Sequence, residues 1–310
     1  MGLNKVLVDI DPKNPSGFLL EKVKRIAAGR SLHIELFHNC YSRSLHNSYL
    51  FDREAEKHAI AGYQQHVEAQ LIQLSEAFEG EGYSVGYDVS WNKNSAEGLI
   101  KKALRYQADL VISSISKHSL GHYLLGQGDW KLISECPIPL LMTKERGWGV
   151  HPRVLAAVDP FHPSEVEKAS ALDAKIIEAA IEFSRLMLGE LHGAHCFNVL
   201  PQSAIFDEHL TADYEGLQEK VRSQHKKAFG EFLDHHAKGQ ILEHLIEGEV
   251  HNALPELVEK QKIDVLVMGS AARDMVDRLL VGSSVERVLD HIPCDVLLVK
   301  KPGFVSPVTE

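Results

Sequence analysis

The chain has 310 residues, with 33 lysines and arginines against 43 aspartates and glutamates, and a formal net charge of −10. That excess of acid excludes bulk electrostatic attraction to nucleic acid or an anionic membrane surface, and no long basic run offsets it. With 44% hydrophobic and 25% charged residues and no apolar run approaching ~18–20 residues, nothing reads as a membrane span, and the length suggests about two domains.

The N-terminus runs straight into a strand pattern at Lys5-Val6-Leu7-Val8 and lacks a secretory layout. Cys40, Cys136, Cys196 and Cys294 are scattered without a metal-type doublet, which fits buried thiols in a reducing compartment. The expected location is therefore the cytoplasm. In chain order, strands are expected near Val6–Ile10, Leu32–His38, Ser84–Ser90, Leu110–Ser113 and Leu140–Thr143, with helices near Leu19–Ala28, Arg53–Glu79, Ala96–Tyr106 and Asp129–Glu135. A second series follows: strands near Val154–Val158, Leu191–Phe197, Ile241–Ile246, Val265–Met268 and Val296–Val299, and helices near Leu172–Leu188, Tyr214–His236, Ala253–Lys260 and Ser284–His291.

The two series are copies of one unit. Lys5–Pro12 recurs as Arg153–Pro160, Leu32-His33 as Leu191-His192, Asp109–Ser114 as Asp264–Gly269, and Pro137–Lys144 as Pro293–Lys300. Domains are expected at 1–146 and 147–310. Strands alternating with helices imply an α/β fold: two tandem doubly wound domains, each a five-stranded parallel sheet in the order 3-2-1-4-5 with helices on both faces. In that order the first and fourth strands are neighbours at the switch point, where ligands bind beyond the strand ends. Asp159 ends the first strand of the second copy and Gly269 ends its fourth, so the two are expected in one crevice. A turn-capping aspartate before Pro160 is the other reading of Asp159.

After Gly269 comes a loop, then Gly282-Ser283-Ser284 opening a helix with Val285, Val288 and Leu289 on its apolar side. Glycine lets a backbone approach a ligand, and a helix N-terminus offers amides and partial positive charge to an anion. An ordinary strand-loop-helix with a small N-cap is the alternative.

The spacing Gly269, two residues, Ala272, nine residues, Gly282, Ser283 resembles the nucleotide signature of the universal stress protein family, and Gly282–Lys300 is similar to its closing helix and strand. The resemblance covers nearly the whole chain, as the tandem two-domain type. It implies an adenine nucleotide, ATP or a relative with Mg2+ as a candidate companion, held by Asp159, Gly269, Ala272, Gly282, Ser283 and Ser284. Ala272 departs from the family's glycine, which implies weakened binding. In the first copy Ser114, Lys117 and Gly126-Gln127 stand where the signature belongs, and Trp130 beside the turn narrows it, so nucleotide is not expected there.

No nucleophile elbow, zinc-hydrolase helix or lysine P-loop appears, so no catalytic residue is assigned and at most a slow ATPase is expected. The 18 histidines do not form a strong ligand set: His192 and His195 sit on opposite faces of a strand, and Glu54, His58 and His66 share one helix face. No metal site is assigned. Ala55, Ala59, Tyr63, Val67 and Leu71 suggest one buried stripe on the long second helix. The loops before the long helices carry Tyr41, Leu45, Tyr49, Leu50 and Phe51, and Leu200, Ile205, Phe206 and Leu210. This composition supports the alternative function, a non-catalytic scaffold or carrier for an apolar ligand or protein partner. The expected associations are a nucleotide and an intramolecular pseudo-dimer of the two copies, with no nucleic acid and no membrane span.

Overall fold

The computed structural model describes residues 2–46, 52–115, 125–161, 166–199, 213–239, 241–270 and 283–309. Among these the chain divides into two compact units. The first runs to Gly147 and includes the tail from Phe304; the second runs from Trp148 to Gly303.

The first unit contains β1 (Lys5–Asp9), α1 (Gly17–Ala27), β2 (His33–Asn39), α2 (Arg43–His46), α3 (Arg53–Gly80), β3 (Ser84–Ser90), α4 (Ser95–Tyr106), β4 (Leu110–Ser114), α5 (Gln127–Glu135) and β5 (Leu140–Thr143). Its strands lie in the order β3-β2-β1-β4-β5, and every pair is parallel. Val6, Leu7 and Val8 of β1 and Val111 and Ile112 of β4 are buried, as strands covered on both faces must be. Helix starts are fixed by side-chain caps: Ser16 accepts from the Leu19 N–H, Asp52 from the Glu54 and Ala55 N–H groups, and Asn94 from the Glu97 N–H.

The second unit repeats the plan with β6 (Arg153–Ala157), α6 (Val166–Leu186), β7 (Glu190–Phe197), α7 (Tyr214–His236), β8 (Leu242–Glu247), α8 (Val250–Gln261), β9 (Val265–Gly269), α9 (Ser283–His291) and β10 (Asp295–Val299). Its order is β8-β7-β6-β9-β10, again parallel throughout. Both units use the aspartate that precedes the fourth strand to fasten the first. Asp109 Oδ2 accepts the Asn4 and Lys5 N–H groups at 2.8 and 2.9 Å, and Asp264 Oδ2 accepts the Arg153 N–H at 3.0 Å. The repeated sequence thus encodes a repeated bond.

Three expectations need correction. The loop Asn39–Asp52 contains the one-turn α2. Helix α6 begins at Val166, not Leu172, because Val-Glu-Lys-Ala-Ser-Ala holds no proline or glycine to break it. The stripe on α3 is buried only from Val67 onward, through Leu71, Ser75 and Phe78; Ala55 is exposed and Tyr63 only half-buried. Length explains this last difference. A 28-residue helix spans about 42 Å, whereas the seven-residue β2 and β3 beneath it span about 23 Å, so α3 overhangs its sheet.

Candidate functional site

The crevice of the second unit is built where β6 and β9 end side by side. Their register pairs Val154 with Val265, Leu155 with Leu266 and Ala156 with Val267. Continued past the strands, it sets Asp159 level with Ser270. The Asp159 backbone N–H donates to Asp173 Oδ1 at 3.1 Å, so a buried carboxylate of α6 fixes the turn. The Asp159 side chain itself is 60% exposed.

Toward β7 the neighbourhood is aromatic. His195 is buried; its Nδ1 lies 3.3 Å from the Val158 carbonyl and 3.6 Å from Asp159 Oδ1, and its Nε2 is 2.8 Å from His225 Nδ1 of α7. With Nδ1–H donating to Val158, Nε2 is the acceptor and His225 the donor. The His225 ring packs against Phe161 and Phe197, with centroids at 4.3 and 5.1 Å. Burial holds His225 below the usual imidazole range, while Asp159 works against it. Burial, reinforced by Asp159, pushes the Cys196 thiol up to about 11, so it stays protonated and unreactive at neutral pH.

On the β9 side, a Cβ at Gly269 would lie 2.7 Å from Leu172 Cδ2. Glycine here makes room for α6 against the strand end. Ser270 donates its N–H to the Val299 carbonyl at 3.0 Å, and its buried Oγ has no hydrogen-bond partner among the described residues. Lys300, also buried, places Nζ 3.4 Å from the Ser270 carbonyl.

Of the sequence-derived site residues, Asp159 and Gly269 come together at adjacent strand ends, and Ser283 and Ser284 form the first turn of α9. Ala272 and Gly282 lie outside the described residues, as do Tyr49, Leu50, Phe51, Leu200, Ile205, Phe206 and Leu210. His195, His225, Phe161, Ser270 and Lys300 were not assigned from sequence. Only Lys300 carried a signal, because the repeat gives both last strands a terminal lysine and Lys144 is likewise buried. Among the described residues no group of three or more His, Cys, Asp or Glu side chains is arranged to hold a metal ion. No described helix is long and apolar enough to cross a membrane.

The family model described as universal stress protein matches residues 2–144 and again 152–300. The chain belongs to the universal stress protein family. The two matched segments make it a tandem member. Universal stress protein E of Photorhabdus laumondii is 24% identical over 308 residues, spanning 98% of this chain and 96% of that protein. Universal stress protein E of Escherichia coli K12 is also 24% identical, over 77% of this chain and 76% of its own length. Among solved structures, a functionally unknown protein from Pseudomonas aeruginosa PAO1 shares the fold with a TM-score of 0.75 and 24% identity, covering 97% of this chain and 93% of its own.

Proposed function

We propose that this tandem universal stress protein acts in a cytoplasmic stress response by binding an adenine nucleotide in its second unit, as a sensor or regulator and not for turnover. The observation that carries the reading is the meeting of Asp159 and the β9 end on adjacent parallel strands, with α9 opening at Ser283. An exposed, backbone-fixed carboxylate suits the two hydroxyls of a ribose, which are donors in need of an acceptor. The free amides of the α9 first turn suit phosphate. Phosphates bring Mg2+ with them as counter-ion, and the protein's part is to orient them from Gly269 through Ala272 to Gly282, Ser283 and Ser284. The unpartnered Ser270 hydroxyl at the same strand end is a donor that a polar ligand would satisfy.

Native mass spectrometry of freshly purified protein tests this reading. It predicts a retained adenine-nucleotide mass, lost in Asp159→Ala. A retained lipid-like mass with no nucleotide would overturn it in favour of a carrier for apolar ligands.

A further inference from the structure

The first unit presents the same pair of strand ends as the second, with two further carboxyls beside them. β1 and β4 are parallel neighbours, and α5 opens at Gln127 behind Gly126, as α9 opens at Ser283. The repeat aligns Asp9 with Ala157 and, through Pro137 and Pro293, Asp129 with Val285. Two uncharged positions of the second crevice are therefore carboxyls in the first.

Both carboxyls are built into the strand-end turn. Asp129 is the third helical residue of α5, and its Oδ2 accepts the Gly126 N–H at 2.8 Å. An amide that would otherwise point at a bound anion is already taken by the chain's own carboxylate. Asp9 closes β1 and accepts from Ser113 Oγ at 3.0 Å. Burial pushes both carboxyls above their usual range. Ser113 and His38 draw Asp9 back down, while Asp129 and Asp11 push it further up, so each acid there makes a further negative charge beside it less favourable.

We propose that Asp129 and Asp9 are specificity-determining residues that close the first unit to phosphate-bearing ligands, Asp129 by standing where the phosphate would be held and Asp9 by repelling it. The first crevice is then shut to phosphate. A phosphate entering this turn must break the Gly126 bond and sit beside like charge in a partly dry site, where repulsion is far less screened than in water. The closure is a property of the first unit alone, whether or not the second unit takes a nucleotide.

The test uses the full chain with Gly282→Val, which obstructs the turn of the second unit, and inorganic tripolyphosphate as the probe. In that background, calorimetry should detect no saturable site. Adding Asp9→Ala with Asp129→Ser should create one, half-saturated at least tenfold below the highest probe concentration at which the background shows none, and weakened by salt. The isosteric Asp129→Asn alone should give a smaller gain. A second measurement needs no folded variant: in the otherwise unaltered chain the Gly126 amide resonance should not move when millimolar tripolyphosphate is added. A folded double variant without a new site, or a Gly126 amide that shifts in the unaltered chain, would overturn the proposal. Failure of the nucleotide reading would instead appear as absent ATP binding with position 282 intact.

Discussion

Gly269 has a packing role beside the ligand role its spacing suggests. The spacing marks it as a phosphate glycine, yet the structure shows Leu172 packed where its side chain would be, with Cγ 3.0 Å and Cδ2 2.7 Å from the missing Cβ. Gly269→Ala should therefore destabilise the chain by about 1–3 kcal/mol, the usual range for overpacking. Leu172→Ala in the same chain should recover part of that loss, since the clash and its relief involve the same atoms. Additive losses in a denaturation double-mutant cycle would show that Leu172 is not the obstacle. Asp159 was legible from the first-strand repeat because the β-strand period and the switch-point rule together fix where a strand-end residue sits. His225 was not. It reaches His195 from a helix 30 residues away, and nothing in a local pattern signals that contact.

At the scale of elements, alternation of apolar runs with helical periods placed the strands to within a residue, because a buried parallel strand has few ways to look in sequence. Helix ends were less legible: α6 and α8 begin before the residues expected to open them, and the overhang of α3 depends on strand lengths that the helix sequence does not contain. The β7–β8 pairing adds a pH dependence. His192 is buried, and its Nδ1 lies 2.9 Å from His244 Nε2, with the rings stacked at 5.2 Å. Burial holds both below the ordinary 6.5; Glu190 opposes this at His192 and Arg153 favours it, while Lys260 adds to the lowering at His244. The unfolded chain then binds more protons than the folded one as pH drops below about 6.5, so stability should fall in that window. Melting profiles between about pH 7 and 5.5 should be steeper for the native chain than for His192→Leu with His244→Leu. Parallel profiles would show that this pair does not couple folding to protons.

For the whole molecule, repetition is the main economy: one sheet plan, used twice, with the aspartate fastening preserved at Asp109 and Asp264, and the ligand chemistry proposed for the second copy alone. β10 is the last strand in the order of its unit and carries Val296, Leu297, Leu298 and Val299. An apolar strand edge recruits another chain, so a fragment beginning at His151 should self-associate in sedimentation, and a strictly monomeric soluble fragment would contradict that. The proposed nucleotide site, Asp159 with the loop from Gly269 to Ser284, is open to calorimetric titration of the full chain with ATP and Mg2+. Saturable binding of one ATP per chain is expected, weakened about tenfold or more by Asp159→Ala, and tightened about threefold to thirtyfold by Ala272→Gly, equivalent to roughly 0.7–2 kcal/mol. No saturable binding up to millimolar ATP, or affinities unchanged by both substitutions in folded protein, would contradict it.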